Sequence, residues 1–206
     1  MNFIKKIPVI TRSLILLNLI MYFITPLIPD SDLHMMVAYG PQSDHFNLIQ
    51  PLTSMFLHGG FTHIFFNMLL LWMFGRSVEL EAGQKKFLLF YLFAGIGGYL
   101  LQGIFYPDNP AIGASGAVFG VVMGMAVLFP NQKVNLFFLP FLSFKLKWIM
   151  GIYFGFEVYN AIHGLAYGVG DGVAHLAHVG GGLVGMALAG FWITNKFKLA
   201  LQNVRK

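Results

Sequence analysis

Apolar residues run along this chain in long stretches, and polar positions gather in short breaks between them instead of alternating or recurring at every third and fourth place. Helices of that kind are buried on all sides or face lipid. Crossing a hydrocarbon core takes roughly 20 residues of helix, about 30 Å at 1.5 Å per residue. Six stretches meet or approach that length: residues 11–27, 52–74, 87–106, 115–129, 144–162 and 172–194. The breaks are chemically sharp. Pro107-Asp108-Asn109-Pro110 stops the third stretch and Pro130-Asn131 closes the fourth, because proline lacks the amide and the backbone freedom that a continuing helix needs. The pattern predicts an all-α, polytopic membrane protein, one domain over residues 1–206 with six membrane-spanning helices.

Composition agrees: 57% of the residues are hydrophobic, only 10% are charged and the mean hydropathy is +0.70. The placement of charge then sets the orientation. Lys5, Lys6 and Arg12 precede the first span, and Arg76, Lys85 and Lys86 separate the second from the third. Lys133, Lys145 and Lys147 separate the fourth from the fifth, and Lys196, Lys198, Arg205 and Lys206 follow the sixth, so all 13 basic residues fall on one side. The opposite loops carry Asp30, Asp32, Asp44, Asp108 and Asp171 and no base, which by the positive-inside rule puts both termini in the cytoplasm. The basic pI therefore reflects topology, and nucleic acid is not an expected partner. With no cysteine, disulfides, thiolate metal sites and a cysteine nucleophile are excluded. The first span follows Lys5-Lys6 as a signal peptide would, but Pro29-Asp30-Ser31-Asp32 stands where a small-residue cleavage site belongs, so a retained span is expected. A bare membrane core without added soluble domains, in a bacterial inner membrane, is the expected setting.

Candidate chemistry begins at Ile112-Gly113-Ala114-Ser115-Gly116-Ala117-Val118-Phe119-Gly120, where a loop enters the fourth span. One hydroxyl sits there among residues with almost no side chain, so another backbone can approach closely. Small residues also serve as plain packing surface between membrane helices, and only distant partners distinguish the two uses. A serine becomes a nucleophile when a base takes its proton, a role that suits neutral histidine. The sixth span offers His175 and His178, and spacing alone does not choose between them. Ser115 is about seven residues from Asp108 and His178 seven from Asp171, roughly 10 Å of helix in each case, so both lie at comparable depth below the outer surface.

On the second span His63 and Asn67, four apart, share a helix face and can donate hydrogen bonds to an oxyanion. His58 lies higher and is expected to contact a loop. Glu157, Asn160 and His163 form a polar stripe at spacing three on the fifth span, and Glu157 is expected to face water there instead of pairing with a histidine. Ionisable groups at depth are costly, so several of them together favour a water-filled functional cavity. His175 and His178 could share a metal, but a zinc hydrolase more often shows an acid beside its histidine pair, as in His-Glu-x-x-His. None stands there, and no metal is expected.

These motifs, in this order, resemble the rhomboid family of intramembrane serine proteases: His58-Gly59-Gly60-Phe61-Thr62-His63-Ile64-Phe65-Phe66-Asn67, then Gly113-Ala114-Ser115-Gly116, then Ala177-His178-Val179-Gly180-Gly181. The resemblance covers nearly the whole chain. It implies a rhomboid-like six-helix bundle that hydrolyses a peptide bond in or beside a substrate's transmembrane helix, with membrane-protein substrates and the lipid bilayer as partners and no cofactor. It implies Ser115 as nucleophile and His178 as base, because the family's histidine, with glycine three and then four residues further on, fits His178, Gly181 and Gly185 and fails from His175. It also implies His63, Asn67 and the Ser115 amide as oxyanion donors, a dyad without an acid, and substrates whose helix is weakened near a small residue.

Two departures stand out. Many members carry a Trp-Arg pair in the first outer loop where this chain has Ile49-Gln50-Pro51, so that loop can dock differently. A Tyr that often stacks on the catalytic histidine is replaced by Phe119, which keeps the ring. Glu79 resembles a family position that ties the cytoplasmic end of the second span. Two readings from other classes remain. One is a rhomboid-like protein that binds membrane clients without cutting them, against which stand both dyad members and both donors. The other is a small transporter, which inverted repeats would support and none is evident.

Overall fold

The computed structural model describes residues 7–136, 139–168 and 171–204. Lys5, Lys6, Arg205 and Lys206, used above for orientation, lie outside the described residues. In chain order the elements are α1 (Val9–Ile24), α2 (Asp30–His34), α3 (Gln50–Thr53), α4 (Phe61–Leu70), α5 (Arg76–Ala82), α6 (Gln84–Phe105), α7 (Ser115–Leu128), strands β1 (Lys133–Leu136) and β2 (Leu139–Lys145), α8 (Leu146–Tyr167) and α9 (His175–Val204). A widened turn at Leu71–Gly75 joins α4 to α5 into one long helix.

Five of the six expected stretches are single helices, and the second is not. Its first part, Gln50–Phe56, meets Phe61–Ala82 at 97° across Leu57-His58-Gly59-Gly60. Leu57 is extended at φ −91° and ψ 145°, and the two glycines that follow cost a continuing helix about 1 kcal/mol each. Hydropathy runs straight through this corner, which is why the pattern alone does not reveal it. A second departure from an all-helical chain is the antiparallel pairing of β1 with β2, Lys133 opposite Lys145 and Val134 opposite Phe144, in the break before α8.

The interior is organised around α7, in which every residue from Gly116 to Ala126 is buried. α6 and α9 flank it closely because the facing positions are small. A Cβ placed on Gly120 would lie 2.7 Å from the Gly181 carbonyl oxygen, and one on Gly185 would overlap the Gly120 carbonyl. Between membrane helices this small-on-small contact replaces the hydrophobic drive that operates in water. The rest of the molecule is correspondingly turned outward: Thr11, Asn18, Gln50, Asn67, Glu79 and Glu157 are buried, whereas Leu27 is 80% and Ile152 76% exposed. By length and composition Val9–Leu27, Gln84–Phe105 and His175–Asn195 can each cross a membrane, with a fourth crossing if the bent pair counts as one span. α7 is shorter, and α8 is interrupted by Glu157, Asn160 and His163.

The basic segments gather at one end. The buried Glu79 carboxylate accepts from the Ile10 amide at 2.9 Å, the Thr11 amide at 2.7 Å and the Thr11 hydroxyl at 2.7 Å, capping the start of α1. Lys86 lies 5.5 Å from the Trp192 ring on α9. At the opposite end the segment between α2 and α3 pairs with the loop before α7, Ala38 and Ala111 exchanging amide hydrogen bonds of 3.0 and 2.9 Å.

Candidate active site

Ser115 opens α7, and the loop before it is shaped by Gly113, whose φ of +124° suits a residue without a side chain. The Gly113 amide donates to the Ser54 carbonyl at 2.9 Å. A Cβ on Gly113 would sit 2.6 Å from Cε1 and 2.7 Å from Nε2 of His63, so the imidazole lies directly against the backbone two residues ahead of the serine. On the other side of α7 a Cβ on Gly116 would be 3.1 Å from the Ala177 carbonyl oxygen, and one on Gly181 would overlap the Gly116 carbonyl. The residue after Ser115 and the residue before His178 are therefore in backbone contact.

His178 is clamped from two directions. The ring of Phe119, one turn along α7 from Ser115, stacks on it at a centroid distance of 5.6 Å and 17° between planes. Glu157 Oε2 accepts from His178 Nδ1 at 2.9 Å. An ionised carboxylate only accepts, so this contact assigns the proton of neutral His178 to Nδ1 and leaves the Nε2 lone pair free to take another.

Glu157 is the correction to the sequence reading. It does not face water: it is 2% exposed, and the same Oε2 that meets His178 also accepts from His175 Nδ1 at 2.7 Å. Nor is the expected stripe a unit. At 100° per residue His163 points about 120° away from Glu157, is exposed, and packs between Tyr159 and Tyr167. The signal that could have found Glu157 was present: it is the only Asp, Glu, Lys or Arg in the 23 residues between Lys147 and Asp171. A lone acid in an apolar span is costly unless paired, and two imidazoles from another helix supply the partners. Farther out, His175 Nε2 lies 3.2 Å from both carboxylate oxygens of Asp171. The Val173 amide, chiefly, and the His175 ring hold the Asp171 carboxyl below its usual range.

His63 and Asn67 lie on one face of α4, as expected, with Asn67 Nδ2 donating to the His63 carbonyl at 2.9 Å and keeping its second N–H. His58 does not sit in a loop contact alone. It is buried, its ring 5.0 Å from that of His63. A cavity of about 40 Å³ beside Ser115 is lined by Ser54, Gln102, Gly113, Gly116 and Ala177, among others, room for roughly two or three waters. Ser54 and Gln102 were not singled out in the sequence, since neither belongs to a motif.

The departure at Ile49-Gln50 also has a structural outcome. Gln50 is fully buried; its Oε1 accepts from the Asn47 amide at 3.0 Å and its Nε2 donates to the His45 carbonyl at 2.8 Å. This one amide ties residues 45–47 to the start of α3.

Against known proteins, the family model described as "Rhomboid domain" matches residues 45–195. The chain is 32% identical over 192 residues to "Rhomboid protease GluP" of Bacillus subtilis (strain 168), covering 89% of this chain and 35% of that protein. It is 34% identical over 168 residues to "Rhomboid-like protein 11, chloroplastic" of Arabidopsis thaliana, 76% of this chain and 57% of the relative. It is 34% identical over 154 residues to "Rhomboid protein 1, mitochondrial" of Saccharomyces cerevisiae (strain ATCC 204508 / S288c), 71% and 42%. The chain thus spans between about a third and three-fifths of the length of these relatives. Two of the three are named for plant or mitochondrial compartments, so they lend no support to the expected bacterial inner membrane; the apolar helices and the matched family support an integral membrane protein. With its model matched over most of the chain and its motifs assembled around α7, the protein belongs to the rhomboid family.

Proposed function

We propose that this chain is an intramembrane serine endopeptidase that hydrolyses peptide bonds in or beside the transmembrane helices of membrane proteins. It crosses the bilayer six times with both termini cytoplasmic, a topology supported by the one-sided distribution of its bases and by the gathering of those segments at one end. At 1.5 Å per residue the 14 residues of α7 measure about 21 Å, so one end of α7 stops short of a 30 Å hydrocarbon core. Ser115 at that end is recessed below the outer face.

In the reaction Ser115 Oγ attacks the substrate carbonyl carbon while His178 Nε2 takes its proton. The oxyanion is stabilised by His63, Asn67 and the Ser115 amide. His178 then delivers the proton to the leaving amine, and a water drawn from the cavity beside Ser115 hydrolyses the acyl-enzyme, with His178 again as base. Glu157 touches no substrate. It is a positioning residue that fixes the His178 tautomer and offsets the positive charge the ring acquires. A helical substrate hides its carbonyls in internal hydrogen bonds and has to unwind locally before attack, which favours helix-weakening residues near the cut.

The observation that carries this reading is the placement of His178 between the Phe119 ring and Glu157 on the helix whose Gly181 packs against the residue after Ser115. The test is fluorophosphonate labelling of detergent-purified protein together with cleavage of a model transmembrane substrate in liposomes. Wild type labels and cleaves, and Ser115→Ala and His178→Ala do neither. Labelling of Ser115→Ala at the wild-type rate sinks the mechanism. A folded wild type that neither labels nor cleaves points to a member that binds clients without cutting them.

A further inference from the structure

The cluster beneath Asp171 has a second chemical capacity. Glu157 from α8 and His175 and His178 from α9 each offer one ligand atom, all within 4.8 Å of one another, and among the described residues they are the group able to hold a metal ion. Two imidazole nitrogens and one carboxylate oxygen are a zinc donor set that leaves a fourth position open. Zinc bonds of 2.0–2.2 Å at tetrahedral angles set donor atoms about 3.4 Å apart. Oε2 of Glu157 now lies 2.7 Å from His175 Nδ1 and 2.9 Å from His178 Nδ1, so the hydrogen-bonded cluster opens by about 0.5–0.7 Å to admit the ion. The outer support is also in place. Metal-bound histidines characteristically donate their other N–H to a carboxylate, and His175 Nε2 faces both oxygens of Asp171 at 3.2 Å. The Asp171 side chain is 60% exposed, which gives the cluster contact with water. The sequence reading set a metal aside because no acid stands beside the histidine pair; the acid arrives from another helix.

We infer that Glu157, His175 and His178 form a Zn²⁺ site whose occupancy switches the catalytic base off. The binding does not depend on the proposed protease reading, whereas the inhibition does. Zn²⁺ takes the Nδ1 lone pair of His178, and the proton that stood there moves to Nε2. The ring then presents an N–H to Ser115 and has no lone pair to accept the hydroxyl proton. His175 ligates through Nδ1 and turns the N–H on its Nε2 toward Asp171. Removing the ion reverses each change, and the Glu157 contact again leaves Nε2 free.

The experiment uses tag-free, metal-stripped full chain and reads zinc content by mass spectrometry after equilibration with micromolar Zn²⁺, alongside the ratio of cleavage rates with and without zinc for each variant. Wild type is expected to retain one equivalent and to slow at least tenfold, with chelator restoring the rate. His175→Ala and His175→Asn are expected to bind at least tenfold more weakly and to lose the slowing in proportion, each judged against its own metal-free rate. Asp171→Asn is expected to weaken binding about tenfold. Wild type without bound zinc, or His175 variants that bind and slow as wild type does, overturns the site. Zinc uptake that depends on His175 in a protein with no metal-free cleavage leaves the site standing and refutes the protease reading instead. Metal-free cleavage without zinc uptake does the opposite.

Discussion

Replacing Glu157 with Gln removes a negative charge from beneath His178 while changing the side-chain volume very little. The Glu157 side chain is 3% exposed, so bulk water has no room to replace the lost carboxylate. A hydrogen bond to a charged group contributes about 1.5–3 kcal/mol, and each 1.36 kcal/mol is a factor of ten in rate. If that contribution is expressed in the transition state, where His178 carries a full charge, kcat falls roughly 10- to 150-fold. KM should hardly move, since Glu157 meets no substrate. The assay is steady-state cleavage of a model transmembrane substrate in liposomes at fixed lipid, with the melting temperature followed in parallel. Glu157→Asp, one methylene short of reaching both rings, is expected to fall between wild type and Glu157→Gln. A kcat within twofold of wild type at an unchanged melting temperature refutes the positioning role. So does a rise in KM at constant kcat.

Two further perturbations test the scaffold. Gly181→Ala drives a methyl group into the Gly116 carbonyl; overpacking of this kind costs about 1–3 kcal/mol, and because Gly116 follows Ser115, a lower melting temperature should come with loss of fluorophosphonate labelling, while unchanged labelling would contradict the contact described. Glu79→Gln weakens the cap on α1, in which one carboxylate accepts three hydrogen bonds, at a cost of about 1.5–3 kcal/mol. It should lower the melting temperature yet leave cleavage of the folded enzyme within a few-fold of wild type, since Glu79 lies at the end opposite the Ala38–Ala111 pairing beside the Ser115 loop; a selective loss of kcat would count against a purely structural role.

Hydrocarbon thickness explains why so much of the fold was legible. A helix that crosses lipid has to satisfy its own backbone hydrogen bonds and keep polar side chains off its outer face, and both demands are local. The stretches around α1, α6, α7 and α9 therefore stand out as apolar runs, and proline marks where the third and fourth stop. The helix start at Ser115 was legible for a related reason, since small residues flank it, but on that stretch alone the hydroxyl reads equally as packing surface, and its candidacy comes from the family resemblance. The stacking of Phe119 on His178 was expected from the resemblance, and the structure shows it.

What failed was whatever depended on direction within a run of similar residues. Residues 52–74 read as one span because hydropathy does not register an extended Leu57, and the 97° corner that carries His58 appears only in three dimensions. Glu157, Asn160 and His163 read as one stripe because spacing is blind to which face meets a neighbour, whereas Glu157 turns toward α9 and His163 is exposed. The sequence by itself determined a helical membrane bundle and which helices carry Ser115, His178, His63 and Asn67, because span length, breaks and charge bias each act within a short segment. Only the tertiary structure decided that a buried acid from α8 lies under His178 and shares one oxygen with His175, because an ion pair of that kind is set by how close two helices pack, and here the packing is governed by small residues on α6, α7 and α9 that lie far apart in the chain.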